Sequence, residues 1–307
     1  MIPPMHLQRG DVKQAFARSP HRVKGEWYVG GQEQFYLEGQ ISYAVPKEDN
    51  GMLVLCSTQH PTEMQHVIAH ALGVHSHHIL VECRRMGGGF GGKESQSALW
   101  AALAAISAAH LKRPVKLRAD RDDDMLVTGK RHCFHYEYEV GYDDQGRIIA
   151  AKVEMVSRAG FFRPICRRRS PPVQCATLTI LITWEMSTSS HCAAKTNTQS
   201  NTAFRGFGGP QGAIAIEYIV DEIARNLGKD ALDVRKINFY GRNDEEGRNV
   251  TQYGQKVVDN VIHELVAELE ESSEYRQRRA AVQAFNASSP VLKKRFVADT
   301  GQVWYRV

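Results

Sequence analysis

Long apolar runs are missing from this 307-residue chain, and with them any segment of bilayer-spanning length. The opening Met1-Ile2-Pro3-Pro4-Met5-His6 lacks the basic-then-apolar profile of a secretory signal. A cytoplasmic protein with no membrane association is therefore expected. Metal-type cysteine spacing is also missing. Cys56, Cys83, Cys133, Cys166, Cys175 and Cys192 form no C-x-x-C pair and sit mostly in apolar or strand-like contexts, so reduced structural thiols are expected rather than zinc or an iron-sulfur cluster. A broad basic surface is absent too. The formal charge is +5, but Arg163, Arg167, Arg168 and Arg169 supply most of it from one short stretch, so a nucleic-acid partner is not expected. No internal repeat stands out. What is present, 42% hydrophobic and 24% charged side chains, suits a globular protein with core for one large or two medium domains.

Periodicity gives a mixed set of elements. Val23 to Pro46 alternates like paired strands, including Gln32 to Glu38 and Ile41 to Val45, and Met52 to Ser57 reads as a further strand. Pro61 to Leu72 reads as a helix opened by proline with Glu63 in its first turn, and Ile79 to Cys83 as a buried strand. Alanine-rich Ser95 to Leu111 is helical and Pro114 to Arg118 a strand, which makes residues 79 to 118 an α/β unit. His135 to Val156 reads as a hairpin turning at Asp143-Asp144-Gln145-Gly146. Gly212 to Leu227, Asp230 to Asn238 and one long stretch from Val257 to Ala284 read as helices. The expected class is α+β, mixed α/β in character.

Two glycine-rich phrases carry the functional signal: Met86-Gly87-Gly88-Gly89-Phe90-Gly91-Gly92-Lys93-Glu94 and Ala203-Phe204-Arg205-Gly206-Phe207-Gly208-Gly209-Pro210-Gln211-Gly212. Glycine is costly to order, so such phrases around aromatics point to backbone brought close to a ligand. A dinucleotide fingerprint fits Gly87-x-Gly89-x-x-Gly92, with Asp120 as the ribose acid, but Phe90 would crowd a pyrophosphate. A P-loop fits the spacing up to Lys93. Glu94 then stands where a magnesium-binding hydroxyl is needed.

The string Gly30-Gly31-Gln32-Glu33-Gln34-Phe35-Tyr36-Leu37-Glu38, the two phrases above and Lys195-Thr196-Asn197-Thr198 together resemble the molybdenum-binding subunit of bacterial xanthine dehydrogenase, of the xanthine dehydrogenase and aldehyde oxidase family. The resemblance covers roughly residues 20 to 160 and 191 to 293. It implies a fragment of the molybdopterin-binding domain, carrying molybdenum on a pterin dithiolene rather than on protein ligands. It also implies oxidative hydroxylation of a purine such as hypoxanthine or xanthine, or of an aldehyde, with water as the oxygen source. Iron-sulfur clusters and FAD would lie on a partner subunit.

By the same resemblance, Gln32 corresponds to the glutamine that hydrogen-bonds a molybdenum oxygen, a role suited to a neutral amide. Phe90 and Gly91 resemble the pair whose backbone approaches the oxo ligand. Glu94 resembles the carboxylate that orients a purine and is as a rule absent from the aldehyde-oxidising relatives. Arg205 resembles the arginine at the cofactor and substrate pocket, and Phe207 the ring that stacks on the heterocycle.

Two stretches depart from the family. Residues 161 to 190 and 295 to 307 are unlike it, and their codons, read in a shifted frame, permit family-like sequence. The domain organisation expected is thus a first part of the molybdopterin-binding domain over 1–160, an out-of-frame segment over 161–190, a second part over 191–294, and an out-of-frame tail over 295–307. A truncated subunit is expected, without the glutamate that resembles a general base and so with no complete catalytic set. A nucleotide-binding oxidoreductase using residues 87 to 92 and a degenerate product that binds nothing are the competing expectations.

Overall fold

The computed structural model describes residues 4–161, 178, 182–242 and 248–294. It is a mixed α/β fold in two layered units. The larger is a five-stranded sheet of order β1-β9-β8-β7-β2, from β1 (Met5–Arg9), β2 (His21–Val29), β7 (Phe134–Tyr142), β8 (Ile148–Gly160) and β9 (Met186–Lys195). Helix α1 (Val12–Ala17) connects β1 to β2. The smaller unit is a four-stranded sheet of order β5-β4-β3-β6, from β3 (Ile41–Pro46), β4 (Met52–Cys56), β5 (Ile79–Glu82) and β6 (Val115–Arg118).

In the small unit, α2 (Pro61–Leu72) and α3 (Ser97–Leu111) cover one sheet face. Pro61 at the first turn and Gly73 in the left-handed region at the C-terminus bound α2, as its sequence dictates. Its Met64, Ile68 and Ala69 meet Ala101, Ala104, Ala105 and Ala108 of α3, where alanines let the helix lie close to the strands. The parallel pair is β4–β5, joined through α2. β6 lies on the opposite side of the sheet and runs antiparallel to β3, so the strands flanking the first glycine phrase are not neighbours. A dinucleotide fold needs them adjacent and parallel. Asp120, moreover, caps the short helix α4 (Arg121–Val127), its carboxylate accepting from the Arg121 N–H.

In the large unit, α5 (Gly209–Leu227) packs its apolar stripe of Ile216, Ile219, Val220 and Ile223 on Tyr136, Tyr138, Val140 and Val153 of the sheet. Trp27 of β2 stacks on Tyr218, ring centroids 4.6 Å apart. α6 (Ala231–Asn238) opens with Asp230 accepting from the Leu232 N–H at 2.8 Å, and is tied to α5 by Arg235 on Glu217 and Asp221.

Three elements differ from the sequence reading. Gln32 to Glu38 forms no strand: β2 pairs with β7 and β3 with β4 and β6, and the intervening segment is a loop with Phe35 at φ +50°. Its alternation is a real alternation of burial, Gln34 and Tyr36 inward, Phe35 and Leu37 outward, without a sheet partner. The long helix from Val257 is two, α7 (Ile262–Ser272) and α8 (Tyr275–Ser288), broken where Glu274 takes φ +53°. Finally, β9 extends back to Met186, so residues 186–190 pair with β8 and β1. The remainder of the divergent stretch, apart from Phe161, Leu178 and 182–185, and the whole 295–307 tail lie outside the described residues.

Candidate functional site

The two glycine phrases, far apart in sequence, meet through their backbones. The Arg205 N–H donates to the Phe90 carbonyl at 2.9 Å. A Cβ on Gly91 would lie 2.8 Å from the Ala203 backbone, and Gly91 adopts φ +94°, so only glycine fits this crossing. The glycines thus admit protein backbone at the crossing. The Gln34 amide adds a third strand of contact, donating to the Ala203 carbonyl at 2.9 Å.

Side chains from elsewhere, with its own Lys93, hold the first phrase in shape. Gln59, just beyond β4, accepts on Oε1 from the N–H of Gly91 at 2.8 Å and of Lys93 at 3.3 Å. The Gln59 N–H donates to the Lys93 carbonyl at 2.9 Å. Lys93 is 0% exposed, which rules out the phosphate-reaching role of a P-loop lysine. Its ammonium donates to the Glu38 carbonyl at 2.6 Å and to Ser57 Oγ at 2.8 Å, and lies 4.6 Å from the centre of the Tyr36 ring. Burial lowers the Lys93 pKa, and the Glu38 carboxylate offsets part of that. For Glu38 burial acts upward, but hydrogen bonds from Ser57 and the Gly87 N–H, with the Lys93 charge, outweigh it and keep the carboxyl below its ordinary range.

Behind the turn runs a buried polar chain. Gln40 donates to the Gly92 carbonyl at 3.0 Å and to the Tyr36 hydroxyl at 2.8 Å, and that hydroxyl donates to Asp124 at 2.9 Å. Burial, then the Asp124 carboxylate, raises the Tyr36 pKa well above its usual range, so this hydroxyl remains a donor.

The second phrase is built locally. Phe207 stands at φ +42° between Gly206 and Gly208, its N–H bonded to the Phe204 carbonyl at 2.8 Å. Gly208 forms the N-cap of α5 with no side-chain cap, so the amino end of a 19-residue helix lies beside the phrase. Phe204, Phe207, Gly208 and Gln211 line a small pocket with His132, Thr202 and Ala203. Arg131 binds the parts together. Its N–H donates to the Gln32 carbonyl at 3.0 Å, and its guanidinium donates to the Arg205 carbonyl at 2.9 Å and stacks over Phe204 at 4.2 Å.

The structure therefore unites Phe90, Gly91, Arg205 and Phe207 at one crossing. Glu94, the last residue of the first phrase, is half-buried in the segment leading into α3. Gln32 is exposed and reaches the assembly through its backbone carbonyl. The carboxamide lying against Gly89 and Gly91 is that of Gln59, which the sequence reading did not single out. A lone glutamine after a strand carries no local signal. Arg131, Tyr36 and Gln40 were equally silent.

At the crossing the Gly91 and Lys93 amides are taken up by Gln59, and the groups that favour an anion are the exposed Arg205 and the amino end of α5, which has no side-chain cap. Gln34 Oε1 is buried beside Gly92 with no hydrogen-bond partner among the described residues. Arg205 and the helix amino end suit the anionic part of a metal-oxo pterin and the unpartnered Gln34 oxygen suits a pterin N–H, so these residues fit that group.

Comparison with known proteins agrees. Residues 2–239 match the family profile described as molybdopterin cofactor-binding domain. The chain is 38% identical over 290 residues to xanthine dehydrogenase of Calliphora vicina, covering 92% of this chain and 20% of that protein. It is 40% identical over 286 residues to xanthine dehydrogenase/oxidase of Mus musculus, covering 92% and 21%. The chain thus spans about a fifth of the length of these relatives. Its fold superposes on quinoline 2-oxidoreductase from Pseudomonas putida 86 with a TM-score of 0.82 at 23% identity, covering 93% of this chain and 37% of that one. For aldehyde oxidoreductase from Desulfovibrio gigas the TM-score is 0.81 at 23% identity, covering 94% and 30%. Among the described residues no helix is long and apolar enough to cross a membrane.

Proposed function

The chain belongs to the molybdopterin cofactor-binding domain family, and we propose that it builds one wall of the molybdenum site of a xanthine dehydrogenase-like hydroxylase acting on a purine. When bound, the molybdenum-pterin group supplies oxidative hydroxylation of an electron-poor carbon, with oxygen from water. Electrons leave through iron-sulfur and FAD centres on other parts of the enzyme. The chain's own residues bind and orient. The turn at Phe90 and Gly91, braced by Gln59, presents the first phrase to the group, and Arg205 offers it positive charge. Phe207 offers a flat wall to a flat substrate, and Glu94 a carboxylate to a purine's ring nitrogens. The carboxamide role that the resemblance gives Gln32 falls more naturally to Gln59, which touches the turn. The observation that carries this reading is the hydrogen bond from Arg205 to Phe90, which makes one site of two phrases.

The divergence over 161–190 and 295–307 is part of the same reading: we infer a shifted frame there. Reading the gene region in all three frames tests it, and a nucleotide record with no family-like continuation in another frame would refute it. The cofactor reading is tested by elemental and pterin analysis of the full chain purified from a host that makes the cofactor. Molybdenum and pterin are expected together. Retained flavin or nicotinamide with no molybdenum would overturn the proposal in favour of a nucleotide-binding oxidoreductase.

A further inference from the structure

The parallel register of β4 and β5 pairs Met52 with Ile79, Val54 with Val81 and Leu55 with Glu82. The strand ends at Glu82, and the next step of the register brings Cys56 beside Cys83, whose thiol donates to the Arg85 carbonyl at 3.9 Å. Side chains alternate in step along such a pair: Val54 and Val81 face the helices, Leu55 faces outward, and Cys56 returns to the helix side, the side that the alternation assigns to Cys83 as well. Neighbouring strands lie about 4.8 Å apart, inside the range of about 4.4–6.8 Å between Cα atoms that a disulfide spans.

The two thiols are unequal. Cys56 is buried in the core and accepts a hydrogen bond from Ser42 Oγ at 3.3 Å. Burial raises its pKa and Cys83 adds to that rise, in keeping with their proximity. Cys83 is partly exposed. One thiol therefore meets an oxidant in solvent and the other waits behind it.

We propose that Cys56 and Cys83 form a redox pair that closes to a disulfide at the root of the candidate site. Cys56 leads directly into Ser57, Thr58 and Gln59, and Cys83 into the first glycine phrase, so the bond would tie together the two segments that meet at Gly91. With hydrogen peroxide as oxidant the Cys83 sulfur takes one oxygen, giving a sulfenic acid and one water. The Cys56 sulfur then displaces that hydroxyl: an S–S bond forms, the Cys56 proton leaves with the hydroxyl as a second water, and two thiols have been oxidised by one peroxide.

The full chain, native and reduced, is treated with hydrogen peroxide, its remaining thiols are alkylated under denaturing conditions, and the cysteine peptides are mapped by mass spectrometry. The expected product is a cross-linked pair of the Cys56 and Cys83 peptides, lighter by two hydrogens and restored by dithiothreitol. Cys133→Ser keeps that cross-link and Cys83→Ser loses it. Recovery of Cys83 as sulfinic acid with Cys56 still alkylated, or a bridge from either residue to another cysteine, would overturn the pairing. The primary readout is on the unaltered chain, so it stands whether or not a variant folds.

Discussion

The two glycine phrases are similarly worded and differently supported. The first, between β5 and α3, is shaped by side chains that come from other segments, Gln59, Glu38 and Gln40, and by its own Lys93 reaching out to Glu38 and Ser57. The second is shaped by its own backbone turns, Phe207 to Phe204 and Gly209 to Gly206, and by the helix that begins at Gly209. The first, though it closes a backbone turn of its own from Gly92 to Gly89, leans chiefly on tertiary contact, and the second chiefly on local structure. Damage to the first should therefore arise from remote residues as well as its own, and damage to the second chiefly from residues inside it.

The sharpest way to break the comparison is at the point where the phrases touch. Gly91→Ala places a Cβ against the Ala203 backbone at positive φ, and should cost about 4 kcal/mol by strain plus overpacking. Urea unfolding followed by circular dichroism would measure it, and a cost below about 1 kcal/mol would mean the crossing is not closed.

Next comes a pH effect confined to the large sheet. Burial, with His132 adding repulsion, lowers the pKa of His191 to about 4, while its Nε2 shares a hydrogen bond with Ser157 at 2.9 Å. Since the unfolded chain takes up this proton at about 6.5 and the folded chain only near 4, stability is full above that window and falls as the pH drops through it. The loss is about 3 kcal/mol. His191→Gln should flatten the slope of unfolding free energy between those values; an unchanged slope would assign it to other groups.

Lys93→Met removes three donors from the first turn and should cost about 2–3 kcal/mol, since Ser57 and Glu38 lose a charged partner. Thermal melts would show it, whereas Arg205→Met, at an exposed side chain, should leave the melting temperature within about 2 °C. The smallest difference is between two glutamines. Gln59→Ala should cost about 1 kcal/mol and lower molybdenum content, and Gln32→Ala less than about 0.5 kcal/mol with molybdenum retained. Reversed results would return the carboxamide role to Gln32.

Local chemistry was legible in the sequence, and tertiary chemistry was not. Pro61 and Gly73 bound α2 because proline and glycine act on their own backbone, and the hairpin turn is visible in Asp143, whose carboxylate accepts from the Gln145 and Arg147 N–H groups. Phe90, Gly91, Arg205 and Phe207 could be read through the family resemblance, which carried their grouping. The break at Glu274 bears no glycine or proline and so left no mark. The loop from Gln32 to Glu38 reads as a strand because burial alternates there, though its inward side chains meet Ala203 and Asp124 instead of a sheet. Gln59 and Arg131 matter only for what the folded chain brings to them.

The bond between Arg205 and Phe90 joins residues more than a hundred positions apart. Neither stretch of polypeptide makes the crossing alone, so during synthesis it has no existence until the second stretch has left the ribosome and docked. A prosthetic group seated there is accordingly acquired by a finished wall, never by a growing one.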